Sequence, residues 1–203
     1  MTGSRVDPVN RAALTAPPRL PRAGSTVKRL GVSLTITAVM ICLLAVEERS
    51  GILRVGDPAP DFITTVSSGP PWTLSAFAGK KNVVLFFYPK DQSPGCTKQV
   101  CAYRDSMAAI TELDAVVLGV SYDTDASHER FIAEKSLPFP LASDRDGRLS
   151  ALYGTDRLWG LLPLAKRVTY VIDRHGIIRG VIHDEFRIDR HAADALRILR
   201  SLR

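Results

Sequence analysis

Cysteine is scarce in this chain, with three residues in 203: Cys42, Cys96 and Cys101. A small odd number containing one close pair excludes the disulfide framework of a secreted mini-domain. It points instead to a reactive pair and a bystander. Four residues separate Cys96 from Cys101, so the C-x-x-C of dithiol exchangers is missing. Ala102 stands where a C-x₅-R phosphate loop needs arginine, and no second cysteine pair or close histidine completes a zinc site. The sequence also lacks a glycine-rich phosphate loop, a G-x-S-x-G elbow, an internal repeat and any low-complexity block.

Charge of a single sign is missing from most of the chain. The net charge is +6, but residues 1–29 hold six basic residues (Arg5, Arg11, Arg19, Arg22, Lys28 and Arg29) against Asp7 alone. Residues 30–46 hold no charge, which leaves 21 basic and 20 acidic residues for the remainder. The excess belongs to a tail, and a nucleic-acid-binding face has no support. With 45% hydrophobic and 24% charged residues, the chain has material for one ordinary domain with a buried core, plus an extension.

The extension is N-terminal. Leu30–Val46 is an uncharged, mostly apolar run of 17 residues, about 25 Å as a helix, at the short end for a bilayer and longer than a signal-peptide core. Lys28 and Arg29 precede it and Glu47 and Glu48 follow, so the positive-inside bias leaves the N-terminus in the cytoplasm and the domain outside it. No small-x-small cleavage site or lipobox is evident. These features predict a basic, disordered tail over 1–29, a single-pass signal anchor over 30–46, a linker over 47–54 and the folded domain over 55–203. The alternative is a soluble protein released by cleavage of a signal or transit sequence. Cys42, inside the run, reads as an apolar residue.

Along the domain the patterns alternate. Asp61–Val66 and Trp72–Leu74 are short strand candidates. Asn82–Tyr88 and Ala115–Tyr122 are continuous apolar runs suited to strands buried on both faces. Helices are predicted from Pro94, over Ala126–Ser136, over Arg148–Tyr153 and over His191–Leu202. Arg167–Ile172 and Ile177–His183 flank the turn Asp173–Gly176 as a hairpin. This order predicts an α/β sandwich with a mixed sheet, for which a thioredoxin-like fold is the natural candidate.

The stretch YPKDQSPGCTKQVC, Tyr88–Cys101, carries the chemistry. Ser93 is a good N-cap and Pro94 a good first helical residue, so Cys96 falls in the first turn. Unpaired N–H groups and the positive end of the helix dipole favour an anion there, and the thiolate is the nucleophilic form of cysteine. Cys96 shares a helix face with Val100, Tyr103, Met107 and Ile110. Cys101 lies about 140° around the cylinder, with a Cα–Cα separation of about 8.6 Å in an intact helix. That exceeds the limit of roughly 7 Å for a disulfide without backbone movement. If the two bond, the first turn or two must unwind, as in a cycle where Cys96 is oxidised to a sulfenic acid and then captured by Cys101. The plainer reading, that a thiol is a small buried hydrophobe, suits Cys101 taken alone but not Cys96, with its Ser-Pro-Gly lead-in after a buried strand.

Pro89-x-x-x-Ser93-x-x-Cys96 resembles the active-site motif of the peroxiredoxins. With the second cysteine five residues on, the stretch is similar to the Q-type, or bacterioferritin-comigratory, subfamily. The likeness continues through GVSYDTDASHERF, LPFPLASD, RVTYVID and IHDEF, over about residues 55–200, and leaves residues 1–50 unexplained. It implies a thioredoxin-like fold and a thiol peroxidase that reduces hydrogen peroxide and organic hydroperoxides without metal or organic cofactor. It implies Cys96 as the peroxidatic and Cys101 as the resolving cysteine, joined in an intramolecular redox disulfide that thioredoxin or a similar protein reduces, a scheme for which a monomer suffices. Pro89 would shield the thiolate, Ser93 would hydrogen-bond the peroxide, and Arg167 would be the active-site arginine. Ser93 departs from the commoner threonine and loses a methyl group. The rival readings are a protein disulfide oxidoreductase on the same fold and a membrane-tethered redox sensor. No role is assigned to His128, His175, His183 or His191, which read as surface or packing residues.

Overall fold

The computed structural model describes residues 51–203 apart from Ser68. At its centre is β3, Asn82–Phe87, which runs NVVLFF and is buried from Val83 onward. Successive strand side chains point to opposite faces, and here both faces are covered. Val84 and Phe86 join one apolar cluster with residues of four helices, while Val83, Leu85 and Phe87 join a second with Leu53, Phe62, Trp72, Leu74 and Tyr153. Each buried aliphatic or aromatic side chain contributes about 1.5–3 kcal/mol, which explains a run that does not alternate.

The central sheet has five strands. β3 pairs in parallel with β4, Ala115–Ser121, which pairs in parallel with β5, Leu141–Ser143. On its other side β3 runs antiparallel to β8, Val168–Ile172, and β8 to β9, Ile178–His183. The mixed sheet expected from the sequence is therefore present, with the β8–β9 hairpin at one end. The Asp173 carboxylate accepts the N–H groups of His175 and Ile177 at 2.8 and 2.9 Å, and Gly176 takes φ +76° to close the turn. Two small ribbons stand apart. β1, Ile63–Thr64, pairs with β2, Trp72–Thr73, and β6, Asp156–Arg157, with β7, Leu162–Ala165.

The helices are α1, Pro94–Asp105; α2, Met107–Glu112; α3, Asp125–Lys135; α4, Arg148–Leu152; and α5, Arg190–Arg200. The apolar face read from Cys96 to Ile110 is one face in space, but it is carried by two helices that meet at Ser106. Close packing leaves no room for a side chain at residue 119 in β4, where a Cβ would lie 2.6 Å from both Leu141 and Phe86. Among the described residues no helix is long and apolar enough to cross a membrane. The segment 30–46, expected to be an anchor, lies outside the described residues, as does Cys42.

Candidate functional site

The start of α1 is built as its residues require. Ser93 is extended (φ −65°, ψ 147°), its Oγ accepts the Cys96 N–H at 3.4 Å, and Pro94 occupies the first turn. The same hydroxyl donates to the Lys90 carbonyl at 3.0 Å, tying the cap to the loop before it. Cys96 is 1% exposed, so its sulfur sits among apolar groups at the positive end of a 12-residue helix.

Arg167 arrives by sheet register. β8 runs antiparallel to β3 with Val168 opposite Phe87, so the residue before β8 stands beside the end of β3, where the loop to α1 begins. From there the buried guanidinium points Nη2 at Cys96 Sγ, 3.5 Å away, and donates through Nη1 to Gln99 Oε1. The Arg167 backbone N–H donates to Glu185 Oε1 at 3.2 Å, and that oxygen also accepts Arg157 Nη2 at 2.6 Å. Two buried donors in this cluster, Arg167 Nε and Gln99 Nε2, have no partner among the described residues. Gly95 permits the close approach, because a Cβ there would lie 2.8 Å from Ile188 Cδ1 and 3.4 Å from Arg167 Nη2.

Three of the five expected site residues, Ser93, Cys96 and Arg167, are thus joined by hydrogen bonds, Ser93 to the Cys96 backbone and Arg167 to its sulfur. Pro89 is half-buried in the loop that precedes Ser93, directly after β3. Cys101 is in the same unbroken helix as Cys96; both are free thiols, Cys96 buried and Cys101 half-buried. No group of three or more metal-ligating side chains is found among the described residues.

The AhpC/TSA family profile matches residues 55–181, more than half of the chain. The chain belongs to the peroxiredoxins. It is 40% identical to the chloroplastic peroxiredoxin Q of Sedum lineare over 149 residues, 73% of this chain and 78% of that one. To the chloroplastic peroxiredoxin Q of Arabidopsis thaliana it is 39% identical over 147 residues, 72% and 67% of the two chains. Among solved structures, the peroxidoxin BcpB of Mycobacterium tuberculosis superposes with a TM-score of 0.70 at 38% identity, covering 74% of this chain and 99% of that one. A Xanthomonas campestris peroxiredoxin Q superposes with a TM-score of 0.65 at 28% identity, covering 75% and 98%. The expected thioredoxin-like fold and Q-type kinship both hold, and the protein is a thiol-dependent peroxidase, an oxidoreductase.

The cluster around Cys96 in this peroxiredoxin also includes residues that the sequence did not single out. Gln99 follows Cys96 by three positions, on the same helix face, and that spacing was the available signal. Glu185 and Arg157 carry no such signal, since the loop after β9 and the ribbon strand β6 are brought together only by folding. The histidines divide. His175 and His183 are exposed, whereas His128 and His191 are fully buried with both ring nitrogens engaged. Burial pushes the His191 imidazole below its usual range and the Arg167 charge adds to the effect, outweighing the Asp184 carbonyl that accepts from the ring.

Proposed function

We propose that Cys96 is the peroxidatic cysteine of a peroxidase acting on hydrogen peroxide and organic hydroperoxides, with Cys101 as its resolving partner. The observation that carries this reading is the Cys96 sulfur at the head of α1 with the Arg167 guanidinium 3.5 Å away. The thiolate attacks the terminal peroxide oxygen; an S–O bond forms, the O–O bond breaks, and the departing alkoxide or hydroxide takes a proton from solvent. Arg167 and the helix dipole stabilise the negative charge as it moves from sulfur to the leaving oxygen. The unpartnered N–H groups of Arg167 and Gln99 are donors that the peroxide oxygens can use, and the Ser93 hydroxyl becomes a third by turning from the Lys90 carbonyl to the peroxide. Pro89 excludes water from the loop side. The Cys101 thiol then displaces hydroxide from the Cys96 sulfenic acid, forming a disulfide and water. A thioredoxin-like dithiol returns both cysteines to thiols while its own pair is oxidised. The cycle runs within one chain, needs no bound cofactor, and serves antioxidant defence and redox homeostasis.

Residues 1–46 act as a leader to the domain at 55–203. We assign 30–46 as a membrane anchor with the domain outside the cytoplasm, and a cleaved transit or signal sequence as the alternative, which the chloroplastic relatives favour. Intact mass of the mature protein and protease protection in sealed vesicles decide between them.

The central test is to mix reduced protein with hydrogen peroxide and follow thiols by mass spectrometry. Wild type is expected to consume peroxide and lose two hydrogens as the disulfide forms. Cys101→Ser is expected to accumulate sulfenic or over-oxidised Cys96. Equal peroxide consumption by wild type and Cys96→Ser overturns the assignment, and an unaltered disulfide in Cys101→Ser removes Cys101 from its role.

A further inference from the structure

The loop that presents Pro89 and Ser93 is held by buried polar side chains for which the peroxide chemistry has no use. Asp91, 6% exposed, accepts the Tyr88 hydroxyl at 2.6 Å on one carboxylate oxygen. Its other oxygen accepts Ser127 Oγ–H at 2.8 Å and lies 2.8 Å from His128 Nδ1. His128 Nε2 lies 3.2 Å from the Ala142 carbonyl, so both ring nitrogens face acceptors. The Asp91 backbone N–H donates at 2.8 Å to Asp123 Oδ2, which also accepts the Ser121 hydroxyl at 2.7 Å. Residue 91 is therefore gripped by its backbone and by both carboxylate oxygens, from the residue after β3, from the loop after β4 and from α3. The next residue, Gln92, sits at φ +57°, a conformation non-glycine residues seldom adopt unless held there. Ser93 follows. None of these bonds reaches α1.

A buried polar pair can often be replaced by apolar side chains of the same shape at little loss of stability, so its presence at this spot asks for another cause. We propose that His128 is a positioning residue which, through Asp91, clamps the Pro89–Ser93 loop so that the Ser93 hydroxyl keeps its place beside Cys96 independently of the helix that follows. The inference rests on the function proposed above. It gives the loop and α1 separate attachments: the loop is fastened to α3 and β4, and α1 is free to open towards Cys101 without carrying Pro89 and Ser93 away.

The test compares two reactions of Cys96 in the same protein. Oxidation by hydrogen peroxide needs the loop in place, whereas alkylation by iodoacetamide needs only an accessible thiolate. Replacing His128 by leucine is expected to slow peroxide oxidation about tenfold and leave alkylation within about twofold. His128→Asn places an amide N–H near the lost Nδ1 and is expected to recover most of the peroxide rate. Ser127→Ala, which deletes one bond to Asp91, is expected to lower the peroxide-to-alkylation ratio about threefold, and it decides the matter if the leucine variant does not fold. An unchanged ratio overturns the inference, as does an equal change in Ile132→Ala, a packing lesion on the same helix. Because Cys96→Ser reports independently on the peroxidase assignment, failure of that assignment and failure of the clamp are distinguishable.

Discussion

Arg167 meets the sulfur with one arm of its guanidinium and Gln99 with the other. A planar fork can do both at once; a lysine ammonium of equal charge is a single point on a flexible stem. Arg167→Lys keeps the positive charge and discards the fork, so it separates charge from geometry. The loss of a charge-assisted hydrogen bond is worth about 1.5–3 kcal/mol, and each 1.36 kcal/mol is a factor of ten in rate. Peroxide oxidation of Cys96 should therefore slow about 10–100-fold in Arg167→Lys, read by stopped-flow kinetics under pseudo-first-order peroxide. A rate equal to wild type would mean that only net charge matters at the site. Cys96, Ser93 and Pro94 were legible in the sequence because their roles are local: a cap, a helix-starting proline and a nucleophile within four residues. Arg167 was found through family likeness alone, since an arginine before a strand is ordinary until β8 registers against β3. Glu185 and Arg157, which hold its backbone and each other, could not be seen without the fold.

At the scale of elements, the proposed cycle makes α1 both a platform and a hinge. It is intact from Pro94 to Asp105 and capped by Ser93, and an intact helix holds Cys96 and Cys101 about 8.6 Å apart, beyond bonding reach. Disulfide formation then requires an opening whose free energy depends on helix stability. Lys98, exposed between the two cysteines, pairs among the described residues with Asp189 alone, in a surface ion pair of 3.7 Å. Glycine there costs the helix under about 1 kcal/mol, and the exposed pair adds little. Lys98→Gly should speed the step from sulfenic acid to disulfide about threefold while leaving the peroxide step unchanged. The check is the lifetime of the sulfenic acid after one equivalent of peroxide. If that lifetime is insensitive to Lys98→Gly, the helix does not open in the rate-determining step. The strands of this fold were read more easily than such hinges. NVVLFF and AVVLGVS are buried on both faces and announce themselves, and β8–β9 is marked by its turn. The three residues of β5 and the ribbon β6–β7 escaped because short segments carry too little pattern to outvote tertiary pairing. The break at Ser106 escaped because both helices share one apolar face.

Across the whole molecule, a buried hydrogen-bonded chain joins α1 to α5. The Tyr103 hydroxyl on α1 lies 2.9 Å from Thr169 Oγ1 on β8, which lies 2.9 Å from His191 Nδ1 on α5, and His191 Nε2 lies 2.9 Å from the Asp184 carbonyl. The chain is consistent when the imidazole is neutral: Nε2–H donates to Asp184, and Nδ1 accepts from Thr169, whose oxygen accepts from Tyr103. Burial, joined by the Arg167 charge, favours that neutral form and holds the His191 pKa below 6.5. The unfolded chain, with a histidine near 6.5, therefore binds more protons than the folded one as the pH drops through that value, and stability rises with pH wherever the unfolded state binds more. Folding stability should fall as the pH is lowered from about 6.5 towards the folded-state value and level off below it. His191→Gln removes the titrating group. It should be less stable than wild type at pH 7.5, by about 1–3 kcal/mol for the orphaned hydrogen bonds, yet lose less on acidification to pH 5. Urea midpoints of both proteins across that range provide the measurement. Parallel loss in the two would place the acid sensitivity elsewhere, whereas convergence would show that the seam between α1, β8 and α5 is held by an uncharged histidine kept so by burial and by the Arg167 charge.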